Sequence, residues 1–227
     1  MAAFAPQQPA ASDSIKSLDA AATAFAARYW WIPLLRGLAG VGVGLWVTLS
    51  VDHSAELGAH VFAVFALVSG LALLLAWPLV SGEAGAARAL RLVQPVQGLV
   101  SIAAGLVALL VPSVTEVRGL MLLLIVWAAV SAVLELLLGL RWRAASSVFR
   151  DATFAGALTA LLAIVVVFID PAFSHEYHVV EQGELMLTGH VTADIITVGV
   201  FGAYAAILGV YLTIGAIALR FPNKESI

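Results

Sequence analysis

Three residues place polar chemistry where an apolar chain ordinarily has none. Glu135 is the one acid well inside a long apolar stretch, Leu-rich on both sides. A carboxylate at membrane depth is costly, and it is a functional candidate by default. Arg36 enters another apolar stretch at a similar depth, and Gln97 a third. Arg36, Gln97 and Glu135 are therefore expected to form a buried polar cluster. Its chemistry is either an ion pair that fixes helix positions or a site that handles a proton or a small ligand. A single acid without a relay of others is thin support for transport.

Histidine supplies the second set. His53, His60, His175, His178 and His190 are accompanied by Glu176, and three of the five fall in one polar segment near 172–197. Three imidazoles and a carboxylate would suit Zn²⁺ or Cu²⁺. An i, i+3 placement of His175 and His178 on a helix would bring two of them together. No HExxH or comparable fixed spacing is present, so a cofactor is not expected. A pH response needs less geometry: histidine titrates at about 6.5 and carboxylates at about 4. The simplest reading is that these are solvated side chains.

These residues must be positioned by membrane helices. Of the 227 residues 62% are hydrophobic and 11% charged, with mean hydropathy +1.03. Soluble domains carry roughly 25% charged residues. A hydrocarbon core of about 30 Å needs ~20 apolar residues per helix. Six stretches qualify: Trp31–Ser50, Ala59–Leu79, Leu92–Val111, Arg118–Leu140, Ala152–Ile169 and Thr197–Leu219. The expected fold is all-α and integral to the membrane. A net charge of −3 argues for no nucleic-acid partner, and the absence of Cys excludes disulfides and thiolate sites. The start of the chain, broken by Pro6 and Pro9, does not read as a signal peptide.

Orientation follows from the cations. Lys16, Arg28, Arg36, Arg88, Arg91, Arg141, Arg143, Arg150, Arg220 and Lys224 all fall on one side of a six-span topology, and Arg118 alone on the other. The positive-inside rule then puts both termini in the cytoplasm. Tyr29, Trp30, Trp31, Trp77 and Trp142 lie at the same helix ends, as interfacial anchors do. All five histidines fall on the outer side.

The glycines carry a repeat. A shift of 61 residues superposes Gly37, Gly44 and Gly58 on Gly98, Gly105 and Gly119. A further shift of 58 puts Gly98 on Gly156, and the last helix joins if Gly215 matches Gly70 and Ser131. Three two-helix units, about 30–80, 92–140 and 152–220, would share one polarity and a pseudo-threefold axis along the membrane normal. The third carries an insertion at about 172–197, with two alternating runs around Gln182-Gly183 that read as a small β-hairpin. Gly37, Gly40, Gly44, Gly98, Gly105 and Gly156 are candidate packing positions, because small residues let helices approach in lipid. On that count the first, third and fifth helices are expected at the centre. Residues 1–29 form an N-terminal extension with a short surface helix over 14–28, and 221–227 a tail.

Six spans in three units are assembled here with Leu35-Arg36-Gly37-Leu38 openings, a second Gly seven residues on, and Pro112-Ser113 or Asp170-Pro171 outer turns. This pattern resembles the HdeD-type acid-resistance proteins over about Trp31–Leu219. The resemblance implies a bacterial inner membrane, six helices and an association with acid stress. It carries no catalytic motif over. The insertion and the N-terminal extension depart from the family.

The expected function is non-enzymatic, structural or regulatory, with lipid as surroundings and a membrane-protein partner or a second copy as candidate company. The alternative is a small transporter or channel. An enzyme is disfavoured, since no nucleophile–base pair, phosphate loop or metal motif is present.

Overall fold

The computed structural model describes residues 24–80, 85–181 and 184–221, with only the backbone described over 178–181 and 184–187. The expected surface helix over 14–28 lies mostly outside these residues, and 24–29 is helical. The turn at Gln182-Gly183 also lies outside them.

Six helices are long and apolar enough to cross a membrane. They are α1 (Trp31–Leu49), α2 (Ala55–Ala76), α3 (Gly85–Leu110), α4 (Val117–Trp142), α5 (Ser147–Val167) and α6 (Ala193–Arg220). The local signals for their ends are conventional. Ser54 caps α2 by accepting from the Leu57 amide at 3.3 Å, and Asp52 accepts from the Ser54 amide at 2.8 Å. Pro78, in the 3₁₀ turn Trp77–Leu79, closes the far end of that helix. Gly85 opens α3 at φ +58°, a left-handed conformation that glycine adopts without steric cost.

Between α5 and α6, β1 (Ser174–Glu181) and β2 (Glu184–Thr192) pair antiparallel, with Glu176 opposite His190 and Tyr177 opposite Gly189. His175 therefore lies on a strand, and the helical i, i+3 face considered for it does not exist. The start of α1 and the end of α6 lie at the opposite end of the bundle from the hairpin, and the two ends are called below the terminal end and the hairpin end.

Each helix packs on its neighbours in chain order, and α6 closes the ring onto α1. The closest pairings are α1 with α6, α2 with α3, and α4 with α5. The interior belongs to the even-numbered helices: α2, α4 and α6 are 61%, 44% and 50% buried, against 39%, 39% and 33% for α1, α3 and α5. This corrects the expectation that the glycine-bearing odd helices are central. The axis is filled by bulk, from Phe62 and Phe65 of α2, Trp127 of α4, and Phe201 and Tyr204 of α6. Their ring centroids lie 5.2–6.3 Å apart, mostly edge to face.

The small residues of the odd helices work sideways, against an even neighbour. Gly37 and Gly40 face Gly209, Gly44 faces Ala206, Gly98 faces Gly70 and Leu74, Gly105 faces Leu67, and Gly156 faces Glu135 and Leu136. A Cβ on Gly40 would stand 2.6 Å from the Ala205 carbonyl oxygen and 2.9 Å from the Gly209 Cα. Outside, Leu38, Leu45, Leu99, Leu106, Leu122, Leu137 and Ile214 are more than 40% exposed, a leucine-rich belt that suits lipid.

Candidate functional site

Glu135 faces the bundle interior two turns before the end of α4, on the terminal side of the aromatic layer. It is 3% exposed. Arg36, from the second turn of α1, donates through Nη2 to Glu135 Oε1 at 2.9 Å. Gln97, from the middle of α3, donates through Nε2 to the same oxygen at 2.7 Å. The structure thus brings Arg36, Gln97 and Glu135 together around one carboxylate oxygen. Gly156 makes room for this: its Cα hydrogens occupy the place where a side chain would meet the Glu135 Cβ at 3.0 Å.

One turn nearer the terminal end, the Gln94 amide nitrogen donates to the Tyr29 hydroxyl. Burial pushes the Tyr29 phenol up to about 12, against the pull of the Gln94 bond and of Arg36. Among the described residues four buried side-chain polar atoms lack a protein partner, and two of them belong to this region, Arg36 Nε and Gln94 Oε1. Both residues line a cavity of about 40 Å³ together with Tyr29, Gln97, Glu135 and Asp151. All six helices contribute to its wall, including Leu73 of α2 and Leu212 of α6. A single water needs roughly 10–15 Å³ in such a measure, so a few waters fit and would satisfy the two orphaned atoms. Asp151, on the first turn and a half of α5, accepts from the Tyr211 hydroxyl at 2.9 Å.

The aromatic layer bounds this polar region on the hairpin side. Its polar tips are tied down. Trp127 donates to Ser101 Oγ at 3.2 Å. Thr159 gives its one hydroxyl proton to the Ala155 carbonyl at 2.7 Å, so in the 2.9 Å contact between Thr159 and Tyr204 the tyrosine is the donor. The chemistry open to the site is ion pairing, hydrogen bonding to water and proton exchange at a carboxylate.

Three residues of this site escape the sequence reading: Tyr29, Gln94 and Asp151. Asp151 is the instructive one. A hydropathy boundary drawn at Ala152 puts it in a loop, whereas the helix begins at Ser147. An acid beside an apolar run, rather than inside it, was the available signal.

The histidines whose side chains are described do not converge. His53 flanks the α1–α2 turn, half-buried, and His60 is exposed on α2 with its Nδ1 2.8 Å from the Glu56 carbonyl oxygen. His175 and His190 are exposed on opposite strands of the hairpin. The side chain of His178 lies outside the described ones. Among the described residues no three of His, Asp and Glu gather as a metal set. An open hollow of about 440 Å³ separates the hairpin from the starts of α2, α4 and α6, lined by Glu56, Thr115, Phe173 and Asp194 among others.

Fold and site define a multi-pass helical membrane protein with a buried ion pair beside a small cavity at its terminal end. Comparison with family models, with curated proteins and with solved structures finds no match to this chain.

Proposed function

We propose that this chain is a non-enzymatic protein of a bacterial inner membrane, with both termini in the cytoplasm, serving a structural or regulatory role in acid stress. The observation that carries the reading is the sealed axis. Five aromatic rings from α2, α4 and α6 close the bundle between the polar cavity and the hairpin end. A conducting path would need polar groups across that layer. Among the titratable groups exposed at the hairpin end, His175, His190 and Glu176 sit on a hairpin that packs little against the helices, while Glu56 and His60 are on α2. Protonation of His190 creates an opposite-charge pair with Glu176 directly across the strands. On this reading the hairpin is the element on which acid at that side acts first.

The threefold repeat belongs to the same reading, with one revision. The contacts of Gly37 with Gly209 and Thr213 parallel those of Gly98 with Gly70 and Leu74, and of Gly156 with Glu135 and Leu136. This supports matching Gly209, rather than Gly215, to Gly70 and Ser131. Gly215 instead lies beside the Asp151 carboxylate. The insertion then shrinks to little more than the hairpin itself. The alternation of close and loose helix pairs around the ring supports three units as well.

A small transporter is the second reading, favoured by the cavity with its ion pair and two unpaired polar atoms. Full-length protein in liposomes, taken across an external step from about pH 7 to about pH 5, separates the two. We expect no ion or proton flux above protein-free liposomes and an acid-dependent change in amide exchange at the hairpin. That change is expected to vanish when the five histidines are replaced by Gln. Sustained selective flux would overturn the structural or regulatory reading.

A further inference from the structure

We propose that the junction of α4 and α5 binds an anionic phospholipid, its phosphate between Arg143 and Arg150 and an acyl chain along α5. An open groove of about 310 Å³ lies here, lined by Arg143, Arg150, Thr153, Phe154 and Ala157. Both arginines are exposed, and neither forms an ion pair among the described residues. Their neighbours are differently committed. Arg141 lies over the Trp142 ring at 4.5 Å, Arg91 over Trp77 at 5.9 Å and Arg220 over Trp30 at 5.6 Å. Asp151, the acid next to Arg150, is held by Tyr211.

The shape below the arginines is that of a lipid site rather than of a pocket for a free anion. Arg150, Phe154, Ala157, Leu161 and Ile164 recur at helical spacing on one face of α5, all of them exposed. The first is cationic and sits at the helix end, and the others descend as an apolar strip toward mid-bilayer. Phe154 is stacked on Tyr211 with centroids 3.9 Å apart, which fixes the groove wall. Two guanidiniums above an apolar strip match a phosphate headgroup above its acyl chain, and basic pockets between membrane helices recur as sites for such lipids. A neutral zwitterionic headgroup lacks the net charge to compensate two arginines.

The test is native mass spectrometry of the detergent-solubilised full chain, titrated with cardiolipin, phosphatidylglycerol or phosphatidylcholine. The wild type is expected to retain the two anionic lipids in preference to phosphatidylcholine. The double variant R143Q/R150Q, both positions solvent-exposed, is expected to bind them about thirtyfold more weakly. A157W, which fills the groove and keeps both arginines, should lose the same adduct, whereas R88Q/R91Q, in the first two turns of α3 at the same end of the bundle, should keep it. Equal retention of phosphatidylcholine, equal loss in R88Q/R91Q, or full displacement of the lipid by inorganic phosphate would each overturn the proposal.

Discussion

Arg36 and Gln97 both bind the same carboxylate oxygen of Glu135, which is buried in the bundle. Removing one member of a buried pair strands the other charge and costs about 3–5 kcal/mol, whereas exchanging both for apolar residues is often neutral. Glu135→Leu alone is therefore expected to destabilise the protein by about 3 kcal/mol in denaturant unfolding from mixed micelles. Adding Arg36→Met should restore most of that loss. If the double variant stays as unstable as the single one, the pair does not act as a unit. If it recovers stability, the two charges matter to folding only as a pair. At this scale the sequence is most readable where a polar residue interrupts an apolar run, as Arg36, Gln97 and Glu135 each do. Tyr29 and Asp151 were not readable, because they sit near helix ends, where polar residues are ordinary, and Gln94 was not because the apolar run begins only at Leu92, although α3 starts two turns earlier. Only the folded bundle reveals that those ends converge.

Helix spans were legible to within a few residues, because hydrophobic thickness sets a length that few other constraints mimic. Their starts were read late where polar turns precede the hydrocarbon. α3 begins at Gly85, two turns before the apolar run, and α2 begins at Ala55 behind the Ser54 cap. The arrangement of the helices was misread. Small residues indicate where two helices touch, not which of them is central, and here the centre is claimed by Phe62, Trp127 and Phe201. The contact of α1 with α6 makes the point testable. A Cβ on Gly209 would meet the Val41 amide nitrogen, and the Gly37 carbonyl oxygen at 2.7 Å, both backbone atoms that cannot swing aside. Gly42, on the same α1, has nothing within 4 Å of its Cβ position. Gly209→Ala is expected to cost about 1–3 kcal/mol by forcing α1 and α6 apart. Gly42→Ala should leave thermal unfolding in detergent unchanged or slightly raise its midpoint. Equal effects of the two changes would refute the close α1–α6 approach.

As a whole molecule the chain separates a self-contained bundle from an appendage. The hairpin packs on itself, with Glu176 across from His190, and reaches the helices mainly where β2 runs into α6. Its base is narrow: Ser174 pairs with Thr192, and the Ala193 amide donates to the Phe173 carbonyl at 3.0 Å. The ends that remain after removing 174–192 are thus already adjacent, and two glycines can join them without moving α5 or α6. Replacing 174–192 by Gly-Gly is expected to leave the thermal midpoint of the bundle in detergent unchanged. The core of Phe62, Phe65, Trp127, Phe201 and Tyr204 contains nothing from the hairpin. The same deletion is expected to abolish the proposed acid response of the hairpin end, since it removes three of the five histidines together with Glu176. A steep fall in stability would make the hairpin part of the fold and undo the separation. An intact bundle that still responds to acid would move the sensing group into the bundle, either to His53 and His60 at the hairpin end or to the other end, where Glu135 and Asp151 line a cavity large enough for water.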